Sequence, residues 1–173
     1  MLFKGILCIL IILAGVAIGH LKAKTYDNRV YHLQELITTI KVLESEMKYR
    51  LDPMPELLMR VGNMKAGMSA DMLLTAGLLL KNQASRDLSE CWEEAVHTAY
   101  RESALNQEDK RIIADLGLEL GKTDMESQSG MFLRTLSLLE AQTAEAIEDK
   151  KSKGKMYKSL GTAVGALIVI LLL

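Results

Sequence analysis

The sequence predicts an all-α protein, in which a six-helix bundle is flanked by an N-terminal and a C-terminal transmembrane helix. Three observations lead to this fold class. Both ends of the 173-residue chain are apolar and carry no charge over residues 5–19 and 159–173. The middle of the chain repeats apolar residues every three or four positions, which is the period of an amphipathic helix. It shows no strand-like alternation of useful length, and a chain of this length has room for one domain.

The first predicted element is a transmembrane helix over residues 2–21, which is close to the ~20 residues that a bilayer requires. Lys4 lies inside it and can extend its ammonium group to the membrane surface. The second transmembrane helix, over residues 156–173, is near the lower limit of length. A secretory signal peptide is the alternative for the first segment, because Ala17-Ile18-Gly19 fits a cleavage site with small residues at both ends.

The predicted bundle occupies residues 22–155 and is acidic. Residues 25–149 contain 22 acidic side chains against 13 lysines and arginines, whereas further lysines gather beside the two apolar segments. Nucleic-acid binding needs a basic patch on the folded body, so this distribution argues against nucleic acid as a partner. Basic residues beside apolar segments favour contact with anionic lipid headgroups.

The lysines and arginines also predict an orientation, because loops on the cytoplasmic side of a membrane are enriched in them. Lys22, Lys24 and Arg29 follow the first apolar segment, with only Lys4 before it. Five lysines precede the second apolar segment, and none follows it. We therefore expect the bundle in the cytoplasm and both termini outside.

Six helices are predicted between the two apolar segments. The first carries an apolar stripe over residues 30–47 and can continue directly from the first transmembrane helix. The stretch 52–55 contains both prolines of the chain; it ends the first helix and starts the second, which runs to about Gly62. Ser69 precedes the third helix, which holds the apolar run 72–80.

The last three predicted helices begin at capping residues. Ser85 or Asp87 opens the fourth. The fifth begins at residues 106–109 and ends at Gly121, since glycine is the residue that most often follows a helix. Residues 123–126 form a capping box for a long sixth helix, which can run into the C-terminal apolar segment. Six helices with short connections predict an all-α bundle.

No set of residues indicates catalysis or a cofactor. Residues 121–123 (GKT) resemble the end of a nucleotide-binding loop, but Leu116 stands where that loop requires a glycine. A helix end followed by a new helix cap explains the same residues. The three histidines are not at metal-ligand spacing, and Cys8 and Cys91 fit a reduced environment better than a disulfide. We therefore predict no enzyme, no cofactor, no metal and no small-molecule substrate.

Two acidic regions are candidates for binding a partner. One is the glutamate cluster beside Trp92 on the fourth predicted helix, for which a solvated helix face is the plainer explanation. The other is the polar stretch 115–128, where a helix ends and another begins; such loops are common docking points, although a plain connector fits as well. The candidate partner-binding residues are Glu90, Glu93, Glu94, Asp115, Glu119 and Asp124.

Residues 43–49 read LESEMKY, and residues 53–56 after them read PMPE. Together they resemble the LExEIxY…PLPE stretch of the stage III sporulation protein AB family. Residues 91–95 (CWEEA) resemble its W-x-x-A helix. Met47 and Met54 stand where the family usually has Ile and Leu.

Two later segments continue the resemblance in the same order. Residues 116–124 (LGLELGKTD), with Gln128 after them, resemble the LGxxLGxSD…Q segment of the family, and Thr123 replaces its usual Ser. Residues 155–161 (KMYKSLG) resemble its KMYRSLG ending. The matches are therefore spread over almost the whole chain, and together they are more specific than any one of them.

The resemblance implies a non-enzymatic part of the membrane complex that connects the mother cell to the forespore in endospore-forming bacteria. The family's soluble domain is similar to the cytoplasmic domains of the platform protein of type II secretion and type IV pilus systems, which lies over a hexameric ATPase. By this analogy, the expected partners are the mother-cell membrane around the forespore, the sporulation ATPase (stage III sporulation protein AA) and other channel-complex membrane proteins. The alternative is a membrane-tethered regulatory adaptor outside any secretion-type machine.

Overall fold

The computed structural model describes residues 2–50, 52–82, 86–121 and 125–172, and every regular element among them is helical. The predicted all-α fold class is therefore confirmed. The elements are α1 (Leu2–Tyr49), α2 (Met54–Asn63), α3 (Met68–Asn82), α4 (Leu88–Ala99), α5 (Gln107–Glu119), α6 (Met125–Asp149), a π-helical turn (Lys150–Gly154) and α7 (Lys155–Leu172).

Ion pairs surround the corner between α1 and α2. Pro53 precedes α2 with φ −55°, an angle that its ring imposes. The Glu46 carboxylate lies 3.2 Å from Nε of Arg50 and 3.3 Å from Nε of Arg60. Arg60 also pairs with Asp52. The corner that the prolines predict is thus held by charges from both helices.

Side-chain caps define the beginnings of α4 and α5. Asp87 accepts a hydrogen bond from the Leu88 N–H at 2.7 Å, so it is the cap of α4, while Ser85 lies outside the described residues. Asn106 accepts from the Asp109 N–H at 2.7 Å, and the Asp109 carboxylate accepts from the Asn106 N–H at 2.9 Å. This reciprocal pair satisfies two donors that the first turn leaves free.

Helix α5 ends close to the glycine that the sequence marks. Gly121 has φ +75°, a conformation that residues with a Cβ rarely adopt. The predicted capping box at residues 123–126 includes two residues outside the described part of the chain. The next described residue is Met125, where α6 has begun.

Two compact units divide the chain. The bundle unit is Tyr31–Ala144, and the paired-helix unit consists of Met1–Val30 and Glu145–Leu173. Six helices contribute described residues to the bundle unit, as predicted: the later part of α1, α2 to α5, and most of α6. The predicted boundaries at residues 2–21, 22–155 and 156–173 stay a prediction.

The bundle unit has a mostly aliphatic core. Helix α2 packs on α3, α3 on α4 and α4 on α5. Lys41 on α1 pairs with Glu140 on α6 at 3.2 Å. Burial of each large apolar side chain stabilises the fold by about 1.5–3 kcal/mol. The largest fully buried side chains are Trp92, Tyr100, Phe132, Leu33, Leu36, Ile40, Leu43, Leu58, Met72, Leu73, Ile113 and Leu116.

In the paired-helix unit, the first part of α1 packs against α7 through glycines. The carbonyl oxygen of Gly161 lies 2.7 Å from the place that a Cβ on Gly15 would occupy. Tyr26 and Tyr157 stack with ring centroids 6.0 Å apart. Lys150 in the π-helical turn pairs with Asp27 at 2.9 Å.

One helix of the described residues, α1, is long and apolar enough to cross a membrane. Its part from Ile9 onward contains an 18-residue window of mean hydropathy 1.4, of which 11% is buried. A signal sequence has the same features. Helix α7 lies where the second transmembrane helix is predicted, but its described residues do not meet the same test, so that span stays a prediction.

Candidate partner-binding surface

The glutamates predicted on the fourth helix lie exposed on α4, beside Arg86. Nη1 of Arg86 donates to Oε2 of Glu94 at 2.6 Å, and its Nε lies 3.5 Å from Oε2 of Glu90. The hydrogen bond to Glu94 raises the pKa of Arg86. With Glu93 and His97, these side chains border an open depression of about 410 Å³. Arg86 thus offsets the negative charge of Glu90 and Glu94, two of the three carboxylates. Such pairs are common on solvated helix faces.

A second pair of predicted residues lies on one rim of a groove between α5 and α6. Asp115 and Glu119 are four positions apart and therefore share a helix face. The groove has a volume of about 240 Å³. It is lined by Ile112, Asp115, Leu118, Glu119, Met131, Arg134, Thr135 and Leu138.

The groove combines an apolar floor with charged rims. Ile112 and Met131 are buried, whereas Leu118 exposes 53% and Leu138 43% of its surface. The α5 rim carries two carboxylates, and Arg134 is an exposed cation on α6. The apolar floor can accept an apolar side chain from a partner. A basic side chain of the same partner can pair with the two carboxylates of the α5 rim.

The six predicted residues do not form one continuous acidic face among the described residues. Three border the depression at α4, and two border the groove between α5 and α6. Asp124 lies outside the described residues. The groove therefore becomes the stronger candidate, because its carboxylates adjoin exposed leucines, whereas Arg86 forms ion pairs with two of the three α4 glutamates.

Sequence reasoning missed the leucines of the groove. The buried stripe of α5 runs through Ile112, Ile113 and Leu116 and continues to Leu120 just after the helix, and Leu118 falls outside it. Leu138 is likewise outside the buried stripe of α6. An apolar residue on the polar face of an amphipathic helix is the signal that could have identified this surface.

The sequence also did not predict a partly buried polar cluster between α1 and α3. Oε1 of Glu35 accepts hydrogen bonds from the Ser69 N–H at 3.0 Å and the Ser69 hydroxyl at 2.7 Å. Because that hydroxyl donates to the carboxylate, the Thr39 hydroxyl 2.7 Å away must donate to Ser69. The Glu35 carboxylate on α1 thus accepts a hydrogen bond from the Ser69 N–H, one of the backbone donors that the first turn of α3 leaves without a partner inside the helix.

The described residues contain no group of three histidine, cysteine, aspartate or glutamate side chains placed to hold a metal ion. The described residues thus define an all-α protein with a helical bundle unit and a unit of paired apolar helices. Comparison with known proteins agrees with this fold and identifies the family.

The family model described as stage III sporulation protein AB matches residues 4–173. Stage III sporulation protein AB of Bacillus subtilis (strain 168) is 26% identical over 165 residues, which cover 95% of this chain and 96% of that protein. A solved structure of stage III sporulation protein AB has the same fold, with a TM-score of 0.66 at 20% identity over 72% of this chain and 98% of that one. The chain belongs to the stage III sporulation protein AB family, and this membership supports a role in sporulation.

Proposed function

We propose that this protein is a non-enzymatic membrane platform in the mother cell–forespore channel complex, where it couples the sporulation ATPase (stage III sporulation protein AA) to the channel. Family membership supports the role in sporulation. The observation that carries the membrane part of the proposal is the pairing of α1 with α7. This contact unites the two apolar ends of the chain in one helical pair.

The outer surface of this helical pair suits a bilayer. Contiguous exposed apolar surface is rare on soluble monomers, and leaving it in water costs about 25 cal/mol for each Å². A lipid environment removes this cost and needs no further partner. The exposed large apolar residues of the pair are Ile9, Leu10, Leu13, Val16, Ile18 and Leu21 on α1, and Met156, Leu160, Val164, Leu167, Ile168 and Ile170 on α7.

Exposed lysines support a cytoplasmic location for the bundle unit, with both termini outside the cytoplasm. Lys22 and Lys24 follow the first apolar segment, and Lys151, Lys155 and Lys158 precede the second or lie at its start. Lysines are retained on the cytoplasmic side during insertion. Each also gains about 1 kcal/mol beside an anionic leaflet. All five therefore favour the same orientation.

The groove between α5 and α6 is the surface that we assign to the ATPase. Asp115 and Glu119 attract a basic side chain, and Leu118 offers apolar contact beside them. Buried apolar contact supplies affinity, and complementary charge supplies register and association rate. The α4 glutamates are a secondary contact, since Arg86 already offsets two of them.

Spore formation by strains that carry substituted forms of the protein tests this function. The double variant Asp115→Lys, Glu119→Lys reverses the charge of the α5 rim, and Glu102→Lys reverses an exposed carboxylate outside the groove. We expect the double variant to reach the membrane at normal levels and to form far fewer heat-resistant spores. Glu102→Lys is expected to sporulate normally. Normal sporulation of the double variant would contradict the assignment of the groove.

A further inference from the structure

Two pairs of glycines in the apolar ends share one spacing. Gly15 and Gly19 are four residues apart in α1, and Gly161 and Gly165 are four residues apart in α7. Within an apolar helix, this spacing places both glycines on one face and lets another helix approach closely. The sequence alone does not say whether the second helix belongs to the same chain or to another copy.

The structure shows that the two glycine pairs face each other. A Cβ on Gly15 would lie 2.7 Å from the Gly161 carbonyl oxygen, and a Cβ on Gly161 would lie 2.5 Å from the Gly15 carbonyl oxygen. A Cβ on Gly19 would lie 2.6 Å from the Tyr157 carbonyl oxygen. Real Cβ atoms do not approach other atoms this closely, so the two backbones touch only because side chains are absent. We call this contact the glycine seam.

Polar contacts continue the seam toward the end of α6. Tyr26 stacks on Tyr157 with an angle of 22° between the rings. Beyond this stack lie the Asp27–Lys150 pair and Arg29, which is 7% exposed and lies 3.8 Å from a Glu145 carboxylate oxygen. These contacts set the register of the two helices independently of the glycines.

We propose that the glycine seam closes a hairpin of α1 and α7 within one chain, and that it is therefore not a surface for pairing with a second copy. The proposal rests on the membrane location assigned above. Lipid provides no hydrophobic force between helices, so close backbone packing and Cα–H···O contacts stabilise such pairs. Because the partner helix already occupies the seam, contacts with other channel proteins must use the outer faces of the hairpin.

Thiol crosslinking of the full-length protein in native membranes tests the proposal. The variant Tyr26→Cys, Tyr157→Cys replaces the stacked rings outside the glycines with thiols, and Cys8→Ala removes one native thiol. Cys91 is retained because it is buried. After treatment with a short bifunctional thiol reagent, we expect a crosslinked monomer of altered mobility. A covalent dimer as the main product would overturn the proposal, and single-cysteine variants report background dimers.

Substitutions in the seam provide the matched test. Gly19→Leu and Gly161→Leu, introduced into the two-cysteine protein, are expected to abolish most of the intrachain crosslink. Ala14→Leu and Ala163→Leu add the same side chain on exposed positions of the same helices and are expected to preserve it. Equal crosslinking in all four variants would contradict the role of the seam. Extraction at alkaline pH is scored separately, because release from the membrane would refute the proposed location and not the pairing.

Discussion

The indole of Trp92 packs directly against Gly117. A Cβ on Gly117 would lie 2.8 Å from Cβ of Trp92 and closer still to its ring, and the indole N–H donates to the Ile113 carbonyl at 2.8 Å. Gly117 on α5, which has no side chain, thus makes room for the indole of Trp92 on α4. Two of the segments that resemble the family, residues 91–95 and 116–124, meet at this contact.

Gly117→Ala is expected to destabilise the bundle unit by about 1–3 kcal/mol, because overpacking forces α4 and α5 apart or moves the indole. The control is Gly130→Ala on α6, where an added Cβ meets no atom within 4 Å. That control is expected to gain up to about 1 kcal/mol from better helix propensity. Urea titration of the full chain in detergent, followed by fluorescence of the single tryptophan, measures both. Equal stability of the two variants would contradict the packing argument.

Glu35→Gln is expected to cost about 1–3 kcal/mol, since it replaces a charged acceptor with a neutral one at the start of α3. The exposed Glu102→Gln serves as the control and is expected to remain within about 0.5 kcal/mol of the wild type. A double-mutant cycle with Ser69→Ala isolates the hydrogen bond between the Glu35 carboxylate and the Ser69 hydroxyl, because alanine keeps the backbone N–H of residue 69. A coupling energy near zero would show that this hydrogen bond at 2.7 Å contributes nothing to stability.

Tyr100→Phe is expected to remove a sensitivity to alkaline pH. Burial, and then the negative charges of Glu35 and Asp71, raise the pKa of Tyr100. The folded protein therefore holds this proton more tightly than the unfolded chain, so its contribution to stability is complete below pH ~10 and is lost as the pH rises above that value. Urea titrations at several pH values above 9 test this against Tyr49→Phe, which alters a side chain that is 79% exposed. The same alkaline loss in the Tyr100 and Tyr49 variants would contradict the expectation.

The sequence predicts contacts that are local along the chain better than contacts between distant residues. Asp87 and Asn106 are visible as caps because a cap bonds to residues that follow it within one turn. Glu35 is not visible as the acceptor for Ser69, because the two are 34 positions apart and only tertiary packing joins them. The pair of Arg86 with Glu90 is only four positions apart, and it agrees with the solvated helix face that was the plainer explanation of the α4 glutamates.

The apolar ends illustrate the same limit. Composition predicts that residues 2–21 and 156–173 are apolar segments, and periodicity predicts helices. Neither composition nor periodicity predicts that Gly15 and Gly161 touch, because the choice of a partner helix depends on the fold as a whole. Similarly, Asp115 and Glu119 were found as acidic residues near a helix end, but the groove beside them exists only because α6 packs there.

The most direct test of the platform role measures ATP turnover by the sporulation ATPase (stage III sporulation protein AA) with and without the full-length protein in lipid nanodiscs. The account predicts binding and a changed rate of turnover. It also predicts that Asp115→Lys with Glu119→Lys weakens binding by about tenfold or more, because like charges then face each other, while Glu102→Lys binds normally. Absence of binding and an unchanged rate with the folded wild-type protein would contradict the coupling and leave a scaffold for other membrane components.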